Sequence, residues 1–488
     1  MKILVLQLAR LGDIYMSWPA MRALRRAHPE AEIHFLTRPR FEGAIEGLTA
    51  IDKHLSLPVS SILAPLVQEN ADIEAAMATL NESVDALRDE NYDWIVNLTF
   101  SPASSYLTHA ITGPTATVTG YTRYNDGTLC LPDEVSSYFY AQVGIDKPNR
   151  VHVVDVIASM LNLEYIEADF AAPQVGDFAA ALPETYLVLH VGASEKQKSL
   201  SPENWAKVLK PLAATQIPIV LIGAAGEAGL AEEIQAHAIE NEFVNLVGQT
   251  KISDIFAILQ DAELLIGCDS APIHMASLTD TPTFNVSIGE VNYWETGPKS
   301  TLGFIYRAEN EQSLNATRVG ECILGLLQGQ AAPELITRAA GLVSYEKNET
   351  ANERFQWDLV QALYLGAAYP LADRMEILQG ATQLADINKF AIEQIRLIPE
   401  KGLQNVGPFL DRAEEVIESI SRMVPELSPL ISWYQAEKVR VGPGTLEEIC
   451  TAALDVHERL ARHVHAYVPQ EALIEQEQER KEVCDGTL

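Results

Sequence analysis

Two hydrophobic patterns run along the chain, and the change between them divides it. Ile3–Leu8 is a continuous apolar run, the pattern of a strand buried on both faces. Ile14, Trp18, Met21 and Leu24 then recur at helical spacing over residues 13–27. Further strands are predicted at Ile33–Thr37, Ile51–Leu57, Trp94–Leu98 and Ala116–Tyr121, with a helical, partly acidic pattern over 60–90. A second alternation places strands at Tyr186–Val191, Ile219–Gly223, Phe243–Val247, Leu264–Gly267 and Thr283–Ser287, and helices at Pro202–Ala214, Glu227–Ala238 and Ile252–Leu259. Strands alternating with helices predict a parallel sheet of Rossmann type, here twice. The Ala-rich join over 167–183, with Pro173, Gly176 and Pro183, reads as the interdomain linker. From about Ala331 strand signals stop. Leu446, Ile449, Ala453, Val456, Leu460 and Val464 step by helical intervals, as do Val416, Ile420 and Met423. The charged tail 471–488 is expected to fray.

The stretch Leu264–Leu278 organises this pattern. An apolar strand ends at Gly267, Cys268-Asp269-Ser270 forms a polar turn, and Pro272, Ile273, Met275, Ala276 and Leu278 fit a short buried helix. Ser270 suits the N-cap and Pro272 the first turn. A strand running into a helix start offers backbone N–H groups and the positive helix end to an anion, with His274 about one turn beyond Ser270. The same residues equally suit a plain strand–turn–helix with a capping Ser and a satisfied His. Ligands of open parallel sheets sit beyond the carboxyl ends of the strands, where Asp13, the Gly192 and Gly223 loops and Asp269 all fall.

Composition narrows the function. A chain of 488 residues implies two or three domains. The net charge of −32 argues against general nucleic-acid binding and against broad adhesion to anionic membranes. Arg22, Arg25, Arg26, Arg38 and Arg40 nevertheless cluster early, which predicts a local basic rim. The five cysteines are scattered without a CxxC pair, so neither a disulfide framework nor a zinc site is expected. The N-terminus reads as a first strand rather than a signal peptide, and no apolar run is long enough to span a membrane.

Gly12-Asp13 after the first strand, His190-Val191-Gly192-Ala193-Ser194 with Lys198, Gly223 with Glu227, and Asp269-Ser270-Ala271-Pro272-Ile273-His274 occur in this order. The series resembles the lipopolysaccharide heptosyltransferase family (glycosyltransferase family 9) over about residues 1–325. The resemblance implies a GT-B fold, two Rossmann-like domains facing a cleft. Residues 1–175 would form the acceptor domain and 176–330 the nucleotide-sugar donor domain. Residues 331–488 would be an all-helical extension of unknown role. It implies that Asp13 is the catalytic base, that Lys198 contacts the donor diphosphate, and that Glu227 lies near the nucleoside. Asp269, Ser270, Ala271, Pro272 and His274 would hold donor phosphate and sugar, with Gly192, Ala193, Ser194 and Gly223 around them. The implied reaction is inverting transfer, without a metal or other cofactor, of a sugar such as heptose from ADP-heptose to a glycan or glycolipid acceptor. It would run in the cytoplasm or at the inner face of the cytoplasmic membrane, with at most peripheral contact through the early Arg cluster. The chain departs from the family pattern at Ala271, where Gly is usual, at Val191 for Pro, at Leu200 for Trp and at Asp280 for Gly. The 60–90 segment is also longer. These departures bear on the donor base, the sugar and the acceptor.

Read from the residues, each role has a plainer alternative. Asp13 can take a proton from an acceptor hydroxyl, and it can also cap its helix. Lys198 can stabilise a leaving diphosphate, or belong with Lys196 to a solvated loop. Gly192-Ala193-Ser194 can offer N–H groups or a hydroxyl to phosphate, or be a turn. Glu227 is favourable in the first turn of any helix. His463 and His465 point to different faces and are expected to bind nothing. No GxGxxG follows the first strand, which disfavours a dinucleotide dehydrogenase. Two competing functions remain: the same machinery with another nucleotide sugar or a protein acceptor, and a catalytically lapsed GT-B binding module.

Overall fold

The computed structural model describes residues 1–468 except 175, 177, 179, 180, 194, 331, 340, 341 and 345–349. The chain divides into two compact units, 1–122 with 151–348 and 123–150 with 349–488.

The first unit holds both Rossmann-like sheets. Strands β1 (Lys2–Leu6), β2 (Glu32–Thr37), β3 (Lys53–Ser56), β4 (Trp94–Asn97) and β5 (Thr117–Gly120) form a parallel sheet in the order β3-β2-β1-β4-β5. Ile3, Leu4, Val5 and Leu6 have no exposed surface, as their unbroken apolar run requires of a central strand. A short ribbon, β6 (Thr122–Arg123) and β7 (Leu129–Cys130), lies where the chain passes into the second unit.

The second sheet is built from β8 (Leu187–His190), β9 (Ile219–Ile222), β10 (Phe243–Asn245), β11 (Leu264–Cys268), β12 (Thr283–Ile288), β13 (Leu302–Ala308), β14 (Ile336–Ala339) and β15 (Leu342–Ser344). Its order is β10-β9-β8-β11-β12-β13-β14-β15, parallel as far as β13 and antiparallel beyond. Strand order reverses between β1 and β4 in the first sheet and between β8 and β11 in the second. A ligand crevice opens at such points.

Two expected boundaries are corrected. Residues 331–488 are not all-helical, because β14 and β15 extend the second sheet as an antiparallel edge and bring Leu335 and Ile336 into its core. Short edge strands carry too few residues for a period to show, and β13 is buried over only part of its length. Nor does the first domain run unbroken to 175. Residues 123–150 belong to the helical unit, where helix Glu134–Gln142 packs on helix Ser428–Val441. Ser137 Oγ donates to Glu437 (3.1 Å) and Gln142 Nε2 to the Pro429 carbonyl (2.9 Å). The chain then returns through helix Val153–Met160 and the turn Glu167–Phe170 to the first unit. The linker expected over 167–183 is otherwise free of regular elements among the described residues, and 175, 177, 179 and 180 lie outside them.

The helical unit consists chiefly of Ala351–Leu365, Met375–Lys401, Leu403–Met423, Ser428–Val441 and Leu446–Val464. Thr350 with Glu353, and Thr445 with Glu448, form reciprocal caps at two helix starts. Leu359, Leu384, Leu427, Leu430, Tyr434 and Leu460 are fully buried. Of the last helix's expected face, Val456, Leu460 and Val464 are buried, whereas Leu446 and Ile449 are exposed. Buried Glu437 is neutralised by Arg440 (3.0 Å) and Arg459 (2.6 Å). His463 Nδ1 pairs with Tyr369 Oη at 2.5 Å, a packing role.

A chain ending at residue 330 is expected to be at least ~3 kcal/mol less stable to urea than one ending at 344, since burying Leu335 and Ile336 contributes roughly 1.5–3 kcal/mol each. Equal unfolding midpoints would show that β14 and β15 are dispensable to the sheet.

Candidate functional site

The loop after β1 is pinned before it reaches Asp13. Leu8 N–H donates to Thr99 Oγ1 (2.8 Å) and Ala9 N–H to Gln7 Oε1 (3.2 Å). Arg10 N–H donates to Asp13 Oδ2 (2.9 Å), so Asp13 does cap the start of helix Leu11–Ala27, and its other carboxylate oxygen is left for a ligand. Tyr15 and Trp18 of this helix pack on Phe256 of the second half, with ring centroids 5.4 and 5.6 Å apart. That aromatic seam brings the carboxyl ends of β1 and β11 together. Gly12 lies against His274 so closely that a Cβ would stand 2.7 Å from the imidazole Cδ2.

On the second sheet the loops after β8 and β11 meet. Ser270 occupies the N-cap position of helix Ala271–Thr279 but makes no side-chain cap. Its hydroxyl lies 3.0 Å from both His190 Nδ1 and the Cys268 carbonyl. The expected capping Ser is thus corrected, because the half-buried His190 beside it competes for the hydroxyl. The helix start also offers fewer amides than expected. Pro272 has none, and Ile273 N–H is spent on the Ser270 carbonyl (3.1 Å). An anion at this helix start would meet the Ala271 amide and the helix dipole.

Lys198 is buried rather than solvated, and its ammonium stands 3.5 Å from Asp269 Oδ2. Thr296 Oγ1 donates to the other Asp269 oxygen (3.3 Å). Burial lowers the pKa of His274, partly offset by Asp269 and Asp13, which favours the neutral imidazole. Its Nδ1 is buried without a partner, as are both amide atoms of Asn285 and the Ser287 hydroxyl on β12. An unmet buried polar group costs roughly 1–3 kcal/mol, a cost that a bound ligand removes.

Gly192, Gly223 and Glu227 form a third cluster. Glu227 Oε2 accepts the Ala224 N–H (2.6 Å), and Cβ atoms on Gly192 and Gly223 would stand 1.5 and 2.6 Å from the carboxylate. Burial raises the Glu227 pKa. Val191 and Ala193 flank Gly192 in the same loop, and Ser194 lies outside the described residues. The pairings Lys198–Asp269, Ser270–His190 and Thr296–Asp269 escaped sequence reasoning, as did the ion pair Arg10–Glu195 (2.7 Å) that joins the two halves. Each links residues far apart in the chain, so no local spacing signals them.

The early arginines do not make one rim. Arg22 donates to the Asp169 and Ala171 carbonyls, Arg26 pairs with Asp169, and Arg25 binds the Ala50 and Ala31 carbonyls and Asp52. These three are structural, and of the five Arg38 is the one that feels the charge of Asp13. Among the described residues one trio could ligate a metal, Glu32, His34 and Glu90. It lies at the amino ends of β1, β2 and β4, away from Asp13, and Lys2 Nζ already stands 3.6 and 2.7 Å from the two carboxylates. No described helix is long and apolar enough to cross a membrane.

A strand–loop–helix carboxylate facing a buried Lys–Asp–His group, at the switch points of two parallel sheets, defines a transferase of the GT-B class. The description "Glycosyltransferase family 9 (heptosyltransferase)" matches residues 82–318. The chain is 24% identical over 309 residues to lipopolysaccharide heptosyltransferase 1 of Campylobacter coli, covering 59% of this chain and 83% of the relative. It is 21% identical over 313 residues to lipopolysaccharide heptosyltransferase 3 of Escherichia coli K12, covering 56% and 79%. The solved ADP-heptose lps heptosyltransferase II of E. coli aligns at TM-score 0.49 and 19% identity, over 67% of this chain and 99% of that one. Over residues 82–318 the chain thus matches glycosyltransferase family 9, a likeness that supports glycosyltransferase activity.

Burial depresses the His190 pKa from 6.5 to about 4. Between those values the unfolded chain binds the extra proton, so this contribution is complete above pH 6.5 and is lost as pH falls toward 4. The variant His190→Gln should therefore lose about 3 kcal/mol less stability than wild type between pH 6.5 and 4, measured by urea unfolding at each pH. Parallel pH profiles would mean that His190 titrates normally.

Proposed function

We propose that the protein transfers heptose from ADP-heptose, with inversion, to a hydroxyl of a lipopolysaccharide or related cell-surface glycan. The observation that carries this reading is the meeting of Asp13 with the Lys198–Asp269–His274 group through the Gly12–His274 contact. The names of the relatives support the heptosyl donor and the lipopolysaccharide acceptor.

In this reading the acceptor hydroxyl gives its proton to the Asp13 oxygen that does not cap the helix, while its own oxygen bonds to the anomeric carbon. The bond from that carbon to the diphosphate oxygen breaks on the opposite face, which inverts configuration. Charge building on the nucleoside diphosphate is met by Lys198, by neutral His274 as a donor, and by the start of helix Ala271–Thr279, so no metal or other cofactor is needed. Glu227, held against Gly192 and Gly223, faces the nucleoside, with Ala193 beside the phosphates. Ala271 narrows the approach by one methyl group and Pro272 fixes the turn behind it. The acceptor sits on the first sheet's side, and the reaction runs at the cytoplasmic face of the inner membrane.

Asp13→Asn is expected to lower heptosyl transfer from ADP-heptose to extracted lipooligosaccharide by ~10²-fold or more while ADP affinity stays within about twofold, because general-base catalysis contributes ~10²–10⁴-fold. ADP should also raise the melting temperature more than GDP or UDP. A variant that keeps more than about a tenth of the wild-type rate would end the base assignment.

A further inference from the structure

The segment that follows β3 leaves part of an apolar face uncovered. Ile73, Ala76, Met77, Leu80, Val84 and Leu87 recur at helical spacing along helix Ile73–Asp89 and form one stripe. Its second half is covered, since Leu87 is buried in the core of the first sheet and Val84 packs against that core. Its first half is not, since Ile73 is 65% and Met77 47% exposed. Asp72 caps the helix by accepting the Ala75 N–H (2.9 Å), so the uncovered end is a regular helix start. Helix Val59–Leu63 and the turn Ala64–Val67 pack against the same helix, fastened where the Asp72 N–H donates to the Pro65 carbonyl (3.0 Å). They add the exposed side chains of Leu63, Leu66 and Val67, the last 83% exposed.

Large apolar side chains scattered singly over a surface need no explanation, but several gathered in one short hairpin mark an interaction surface. The charge around them selects the occupant. No Lys or Arg lies between Lys53 and Arg88, whereas Glu69, Asp72 and Glu74 stand exposed beside the patch. An anionic bilayer is attracted by basic residues and finds none here. A second copy meeting this one across a two-fold axis would set the same carboxylates against each other. A stripe at helical spacing, uncovered for its first turns, is the complement of another helix. Carboxylates at its border favour a partner with cations at the matching positions.

We propose that the uncovered half of helix Ile73–Asp89, with the turn before it, docks a helix of a partner protein that is apolar on one face and bordered by Lys or Arg. The proposal adds a protein partner to the chain and does not depend on the donor or the acceptor of the transfer.

The test is fluorescence anisotropy of the full chain with labelled helical peptides at physiological salt. Each peptide has about 18 residues, enough to hold a helix in water. One carries a Leu stripe bordered by Lys, and a second carries the same stripe bordered by Glu. Wild type should bind the Lys peptide at least about tenfold more tightly than the Glu peptide. Ile73→Ser with Met77→Ser should weaken binding of the Lys peptide by at least about tenfold, as expected on losing two buried apolar contacts. Glu69→Lys with Glu74→Lys should shift the preference toward the Glu peptide. Leu371→Ser, an exposed control in the helical unit, should change nothing. Unchanged urea midpoints in all variants show that the fold is kept. No binding of the Lys peptide, or no preference over the Glu peptide, overturns the proposal. Equal binding by wild type and Ile73→Ser with Met77→Ser also overturns it, since the peptide would then adhere to acidic surface elsewhere. So does a dimer in sedimentation that this double variant abolishes, which would seat a second copy on the stripe. Binding to vesicles containing phosphatidylglycerol that the same variant abolishes would seat a bilayer there and equally end the proposal.

Discussion

The approach of Gly12 to His274 is the constraint on which the site depends. The Asp13 loop belongs to one sheet and the donor-side group to another. They work together only if two backbone segments come close enough to share a ligand. At Gly12 the clearance admits no side chain, since even a methyl group would collide with the imidazole at 2.7 Å. The seam of Tyr15 and Trp18 against Phe256 supplies the apolar burial that holds this approach. The Arg10–Glu195 ion pair crosses at the rim, where more than half of the Arg10 side chain is exposed, and its contribution is correspondingly small.

Within that frame the site carries costs that a packed core avoids. His274 Nδ1, the Asn285 amide and the Ser287 hydroxyl are buried and unsatisfied, and burial favours the neutral forms of His190 and His274. Such unmet groups concentrate where binding is expected to complete the hydrogen bonding. The rest of the second sheet offsets them. Leu187, Leu189, Trp205, Leu209, Ile219 and Phe284 are fully buried in one continuous cluster.

The parts of the fold legible in the chain were those with a strong period. β1 and β11 are largely apolar runs, and β8, β9 and β12 fell where expected, because central strands buried on both faces are mostly apolar, although β12 also buries Thr283, Asn285 and Ser287. Strands β13 to β15 were missed because β13 is only partly buried and carries Gly303 and Arg307, and β14 and β15 are too short to show a period. The transfer of 123–150 to the helical unit was invisible because long-range pairs such as Ser137–Glu437 leave no local trace. At the site, residue types were readable and partners were not. Ser270 has the sequence of a capping residue, yet it bonds to His190, eighty positions away. Lys198 has the sequence of an exposed loop lysine, yet Asp269 and burial fix it.

The charge balance shows why a whole-chain quantity says little about a site. At −32 the protein should repel a nucleoside diphosphate and an anionic glycan alike. The Debye length near 0.1 M salt is roughly 10 Å, so exposed carboxylates beyond that distance contribute little at the cleft. In the proposed reading a ligand meets local charge, Lys198 with Asp269 beside it and Asp13 across from them. The acidic surplus includes many exposed side chains of the helical unit, such as Glu415, Glu418 and Asp455. Salt should therefore weaken ligand binding through the few cations of the cleft, not strengthen it by screening the net charge. The sign of the salt dependence follows the site, because the field a ligand feels within a Debye length is set by the side chains it touches.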